Sequence, residues 1–213
     1  MHENRNRMMQ NSVKWSENVI LVDADYTDKV AFDLIVNFER ILGRRIPQAD
    51  LARWIDCLAL DGGVREGEHE TLVVLIHSKQ RQRLENFAPA DYESELNGKA
   101  FKDHLGEFTI TALPVEEMVS ADNFFLETVQ LVLAQKDVRR VMIVPNAEQI
   151  YNKVSDAIHK MDDDDDHPKR VTVFTMEPKT GGNFRQEILG YSLMAALGIR
   201  GEEISANSPS IIW

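Results

Sequence analysis

The feature that most constrains the fold of this chain is a series of short apolar runs separated by segments of helical periodicity. Residues 18–22 form a run that is apolar on both faces, and residues 108–113 alternate apolar and polar side chains. Strands that are apolar on both faces suit a parallel sheet covered by helices on both sides. The sequence predicts about five mainly parallel strands, at 18–22, 71–76, 108–113, 141–144 and 171–174.

Segments with helical periodicity fill the gaps between these predicted strands. The alternation of strand and helix is typical of a three-layer, Rossmann-like α/β sandwich. We expect one α/β domain over residues 15–205, preceded by a disordered polar tail at 1–14 and followed by an apolar tail at 206–213. The predicted helices span residues 27–42, 48–60, 78–86, 120–135, 147–159 and 184–197.

The charge balance bears on partners and location. The 213 residues carry a formal net charge of −11, which disfavours RNA as a partner, because polyanion binding gains its affinity from cationic side chains. No stretch is long and apolar enough to cross a bilayer, and the polar first ten residues do not resemble a secretory signal. These features predict a cytoplasmic protein without a membrane partner.

In parallel sheets ligands bind beyond the carboxyl ends of the strands, and this rule selects Asp23 and Asp25 after the first predicted strand. Two carboxylates so close together are suited to oxygen ligation of a divalent metal. The sequence slightly favours structural roles for both residues, Asp25 as the cap of the following helix and Asp23 as an acceptor of loop amides.

Further candidates follow the third and fourth predicted strands. Asp122 lies near a helix start, where acidic residues are common for electrostatic reasons alone, and it gains a functional role only if it converges on Asp23. Asn146 and Glu148 follow the fourth strand. Asn146 favours capping, whereas Glu148 adds a carboxylate to a metal site.

A glycine pair after the fifth predicted strand offers a second kind of site. Lys179, Gly181 and Gly182 precede a predicted helix, where backbone amides and a lysine could bind an anion. The segment matches neither a Walker motif nor a dinucleotide fingerprint, and the sequence favours a plain turn over an anion site. Nucleotide or other small-molecule binding here is a third functional hypothesis.

The chain ends in three large apolar residues, Ile211, Ile212 and Trp213. Apolar surface of this size is usually buried, either on the domain itself or on a second subunit. A homodimer held together by these residues is therefore one of the predicted partners.

The run Val22-Asp23-Ala24-Asp25 before a helix resembles the start of PIN-like and NYN ribonuclease domains, and the acidic helix start at Asp122 resembles their later layout. The resemblance implies that Asp23, Asp25 and Asp122 are catalytic metal carboxylates, joined by Glu148. They would bind Mg²⁺ or Mn²⁺, which would activate water against an RNA phosphodiester.

The sequence departs from that family where its fourth strand ends. The family usually has an acidic turn there, whereas this chain has Pro145 and Asn146. The whole sequence also resembles an uncharacterised bacterial α/β family of unknown function. The favoured hypothesis is a non-catalytic interaction or assembly domain with a degenerate acidic site, and the alternative is a metal-dependent ribonuclease or RNA-binding domain.

Overall fold

The computed structural model describes residues 13–161 and 166–207. These residues form nine strands, six α-helices and one π-helical turn at Tyr92–Leu96. The strands are β1 (Asn18–Asp23), β2 (Ala49–Asp50), β3 (Glu70–Ser78), β4 (Phe87–Ala88), β5 (Ala100–Asp103), β6 (Gly106–Val115), β7 (Arg140–Val144), β8 (Arg170–Thr175) and β9 (Arg185–Ile188). The helices are α1 (Ala24–Leu42), α2 (Leu51–Asp61), α3 (Ala121–Leu133), α4 (Ala147–His159), α5 (Leu189–Ala196) and α6 (Gly201–Asn207).

A seven-stranded sheet with the order β5-β6-β3-β1-β7-β8-β9 forms the centre of the fold. All neighbours in it are parallel except β5, which pairs antiparallel with β6 at one edge. Numbered among themselves, the parallel strands follow the order 3-2-1-4-5-6 of a doubly wound sheet. The chain reverses direction across the sheet between β1 and β7, so a crevice opens there beyond the strand ends.

Apolar side chains cover both faces of this sheet, as the sequence predicts. One face packs against α1, α2 and α5, and its core includes Trp54, Leu58 and Leu193. The other face packs against α3 and α4, and its core includes Phe125 and Val154. Helices on both faces of a mostly parallel sheet confirm the three-layer α/β class.

The predicted strand count was too low, because the structure adds β5 and β9 at the two edges of the sheet. Edge strands are partly solvated, and the sequence of β9, Arg-Gln-Glu-Ile, lacks the apolar run that marks a central strand. The helix predicted from residue 184 therefore begins only at Leu189, after β9. The helix predicted at 78–86 is absent, and residues 79–86 form turns and a single bridge.

Several predictions concern residues outside the described ranges. Most of the polar tail at 1–14 and the apolar end at Ile211, Ile212 and Trp213 lie there, so the predicted tail contact stays a prediction. No helix among the described residues combines the length and the apolar character needed to cross a membrane.

At Gly106, the first residue of β6, the backbone approaches the backbone of His69 closely. The φ of Gly106 is +103°, and a Cβ there would lie 2.1 Å from the backbone oxygen of His69. We predict that Gly106→Ala lowers the free energy of unfolding by about 3 kcal/mol through combined strain and overlap. Urea unfolding measures this change.

Gly43 provides the matched control, because its φ is +64° and a Cβ there would meet nothing within 4 Å. Gly43→Ala should cost only about 1 kcal/mol, from backbone strain alone. Equal losses in the two variants would contradict the close approach at Gly106.

Candidate functional site

The sequence-predicted acids gather in one open cleft, which we call the acidic cleft, at the carboxyl edge of the sheet between β1 and β7. Its volume is about 750 Å³, and Asp23, Asp25, Asp122 and Glu148 all line it. Parallel register explains this arrangement, since it brings the carboxyl ends of β1, β6 and β7 to one edge. Asp122 and Asp23 therefore line the same cleft, which is the condition that the sequence analysis sets for a functional role of Asp122.

Asp23 is the last residue of β1 and the N-cap of α1. Its Oδ1 accepts a hydrogen bond of 3.0 Å from the backbone N–H of Tyr26. Burial raises the pKa of Asp23 to about 6, with smaller contributions from the negative charges of Asp25 and Asp122, although the Tyr26 amide acts in the opposite direction. The cleft thus contains a carboxyl group that is costly to ionise.

Asp25 and Asp28, one turn apart on α1, connect that helix to the end of β3 and to the loop that follows it. Asp25 Oδ2 accepts from the Ser78 backbone N–H at 2.9 Å. The Asp28 carboxylate accepts from the backbone N–H groups of Glu85 and Asn86 and from the Asn86 side-chain amide. Asp25 Oδ1 is different, because it is buried and has no hydrogen-bond partner among the described residues.

The opposite wall of the cleft comes from the starts of α3 and α4. Asp122 lies in the first turn of α3, which Ser120 caps through the Asn123 N–H. Asn146 occupies the N-cap position of α4, but its side chain makes no capping hydrogen bond, so the predicted capping role is wrong. Asn146 Oδ1 is instead a second buried oxygen without a partner among the described residues.

The charges that line the cleft are strongly unbalanced. The carboxylates of Asp28 and Glu85 join the four predicted acids, while Lys29 and Arg81 are the cations of its lining. Sequence reasoning did not select Asp28, Glu85 or Arg81. Asp28 lies on the α1 face that carries Asp25, a signal present in the sequence, whereas Glu85 and Arg81 belong to the segment predicted as a helix.

The donor set of the acidic cleft does not fit the metal site that the PIN-like resemblance implies. Among residues 13–161 and 166–207, no three Asp, Glu, His or Cys side chains are placed to hold one metal ion. Backbone amides occupy one oxygen each of Asp23 and Asp25, and Glu148, which also lines the cleft, is exposed. The acids share a cleft without forming a coordination cage.

The structure places the predicted anion site away from these acids. Lys179, Gly181 and Gly182 lie in the loop between β8 and β9. A Cβ added at Gly182 would lie 2.8 Å from the Phe184 ring. The Lys179 ammonium lies over the Tyr151 ring, 5.8 Å from its centroid. Because β9 separates this turn from α5, the prediction loses the helix N-terminus on which it was based.

Fold and site together define a doubly wound α/β protein with an acidic cleft at the point where the strand order reverses. The chain belongs to a family of unknown function, DUF6621, whose model it matches over residues 12–204. This confirms the predicted membership of a family without an assigned activity. No curated protein matches the chain, and no solved structure matches it.

The raised pKa of Asp23 predicts a pH-dependent stability. The folded chain holds this proton up to about pH 6, whereas the ordinary value is 3.8, so the stabilising protonated form is lost as the pH rises through 6. Asp23→Asn removes the charge and keeps a good N-cap. We predict that the variant is about 2 kcal/mol more stable than the wild type at neutral pH, and equally stable below about pH 4.

Urea unfolding across this pH range measures the difference, with Asp33→Asn, an exposed position on α1, as the control. The control should follow the wild type at every pH. A wild type and an Asp23→Asn variant with parallel pH profiles would contradict the assignment.

Proposed function

We propose that this protein is a non-catalytic interaction domain whose acidic cleft receives a cationic side chain of a partner protein. The observation that carries the proposal is the pair of buried oxygens, Asp25 Oδ1 and Asn146 Oδ1, that have no hydrogen-bond partner among the described residues. Buried acceptors of this kind are costly unless a donor reaches them. A lysine ammonium or an arginine guanidinium carries only donors, and its charge complements the acids around it.

An apolar surface beside the cleft supports a protein partner over a small cation. Phe32 lines the cleft and is 53% exposed, and Val36, one turn further along α1, is 49% exposed. Large apolar side chains that are both exposed and adjacent are typical of interaction surfaces. A partner segment with a basic side chain next to apolar ones would match both features.

The ways in which Asp23, Asp25 and Asp28 are held favour binding over hydrolysis. Each of these carboxylates accepts a backbone N–H group. The Asp23 bond caps α1, whereas the Asp25 and Asp28 bonds fix α1 to the end of β3 and to the loop after it. The acid that a PIN-like site would need after the fourth parallel strand is the neutral Asn146. The residues present therefore supply structure and negative charge at the cleft, and no step of a hydrolytic reaction follows from them.

A metal-dependent ribonuclease on a PIN-like fold is the second candidate, favoured by the four predicted acids that line one cleft. Incubation of single-stranded RNA with Mn²⁺, beside the Asp23→Asn variant, separates the two candidates. If the protein is an interaction domain, neither the wild type nor the Asp23→Asn variant cleaves the RNA. Cleavage by the wild type that Asp23→Asn abolishes would overturn our proposal in favour of the nuclease.

Binding of a fluorescent peptide that alternates arginine and leucine tests the proposal directly. We predict that Asp122→Asn combined with Glu148→Gln weakens binding about tenfold, because two of the charges facing the guanidinium are lost. Fluorescence anisotropy at near-physiological salt measures the affinity, and salt at this level screens the general surface charge.

The matched control is Glu66→Gln combined with Glu202→Gln, which removes the same charge from two exposed positions outside the cleft. This control should bind the peptide as the wild type does. Equal weakening in both double variants would show that the net charge of −11, and not the cleft, attracts the peptide.

A further inference from the structure

A row of arginines occupies the amino edge of the sheet, opposite the acidic cleft. Arg140, Arg170 and Arg185 are the first residues of β7, β8 and β9, which are consecutive parallel neighbours. Arg140 and Arg170 are directly paired in register. Like charges directly opposite each other destabilise a sheet, so this row is a local electrostatic cost in the free protein.

A cavity of about 640 Å³, which we call the basic cavity, opens over this row. Its described lining carries five cationic side chains and no carboxylate, since Arg65 and Lys169 join the three arginines. Cationic side chains are therefore concentrated at this cavity, although the chain carries a net charge of −11. The volume lies within the range of about 300–1,000 Å³ that is usual for small-molecule sites.

The turn after α2 holds the Arg140 side chain in place. Arg140 Nη1 donates a hydrogen bond of 2.8 Å to the backbone oxygen of Gly62, in the turn after α2. A Cβ on Gly63, whose φ is +94°, would lie 2.4 Å from the same nitrogen, so the turn approaches the guanidinium closely. Burial lowers the pKa of Arg140, and the charges of Arg170 and Arg65 lower it further.

The other cations differ in how far they are already engaged. Arg185 pairs with Glu187 at 2.8 Å, and Lys169 donates to the backbone oxygens of Gln135 and Val138. The exposed Arg170 guanidinium makes no hydrogen bond or ion pair within the described ranges. Arg170 therefore retains all of its donors for a ligand, and Arg140 retains those that do not face Gly62.

We propose that the basic cavity binds a small ligand through a diphosphate or triphosphate group. Guanidinium groups match phosphate oxygens in bidentate geometry, and several of them around one cavity suit a ligand with more than one negative charge. The cavity wall also includes the apolar side chains of Ile158, Val171 and Phe184, which can contact a ring attached to the phosphates. A long polyanion fits less well, because the chain as a whole carries a net charge of −11.

This proposal is independent of the function proposed for the acidic cleft. The two sites lie at opposite ends of the same strands, since β7 begins at Arg140 and ends at Val144, beside Asn146. The basic cavity needs no metal to bind phosphate. Binding measured in the presence of EDTA therefore reports this site, and a metal-bridged phosphate at the acidic cleft makes no contribution.

Isothermal titration calorimetry in EDTA with pyrophosphate, ATP and adenosine tests the proposal. We expect pyrophosphate and ATP to bind and adenosine not to bind. Tighter binding of ATP than of pyrophosphate would identify a nucleotide ligand, and equal affinities would identify the phosphate groups as the whole determinant. Arg65→Gln combined with Arg170→Gln should weaken both by tenfold or more, because charge-assisted hydrogen bonds are lost.

Arg45→Gln combined with Arg53→Gln is the matched control, since both positions are exposed, lie outside the cavity and remove the same charge. It should bind as the wild type does, as should Asp122→Asn combined with Glu148→Gln. Absence of binding to any phosphate, equal losses in the two arginine double variants, or loss of binding in the acidic-cleft variant would overturn the proposal. So would a short RNA that binds more tightly than ATP. Circular dichroism confirms that each variant is folded.

Discussion

The parallel pairing of β3, β1, β7 and β8 is the constraint on which both sites of this structure depend. Parallel register sends every carboxyl end to one edge of the sheet and every amino end to the other. Residues that are far apart in the sequence, such as Asp23 and Asn146, meet at the first edge as a result. Arg140 and Arg170 meet at the second edge for the same reason. The acids therefore gather at the carboxyl edge, and the arginines gather at the amino ends of β7, β8 and β9.

Backbone amides already engage several of the carboxylate oxygens in the acidic cleft. The N–H groups of Tyr26, Ser78 and Asn86 hold the carboxylates at the start of α1, so these acids fix the helix to the sheet and to the loop after β3. Asp25 Oδ1 and Asn146 Oδ1 remain buried and unpartnered among the described residues, and our proposal assigns them to the donors of a partner. Together with the cost of ionising Asp23, they are the observations that support our proposal of a cationic partner.

The central strands and the position of the acids could be predicted from the sequence, whereas the edges of the sheet and the basic cavity could not. Apolar runs identify β1, β3 and β7, and the rule for parallel sheets then places Asp23 beside Asp122. The strand β9 is short and polar, so its sequence does not differ from that of a loop or helix start. Without β9 the row of arginines is incomplete, because Arg185 joins it only through pairing with β8. The residue type at the start of α4 predicts capping by Asn146, but its side chain makes no capping hydrogen bond.

The most direct test of the account is the carboxyl titration of Asp23, followed by ¹³C NMR with and without an arginine-containing ligand. The account predicts a pKa of about 6 in the free protein, because burial and the neighbouring acids oppose ionisation. A bound guanidinium in the acidic cleft should lower that value, since a nearby positive charge favours the carboxylate. An Asp23 carboxyl group that titrates near 4 and does not respond to the ligand would contradict the claim that the acidic cleft binds a cationic partner.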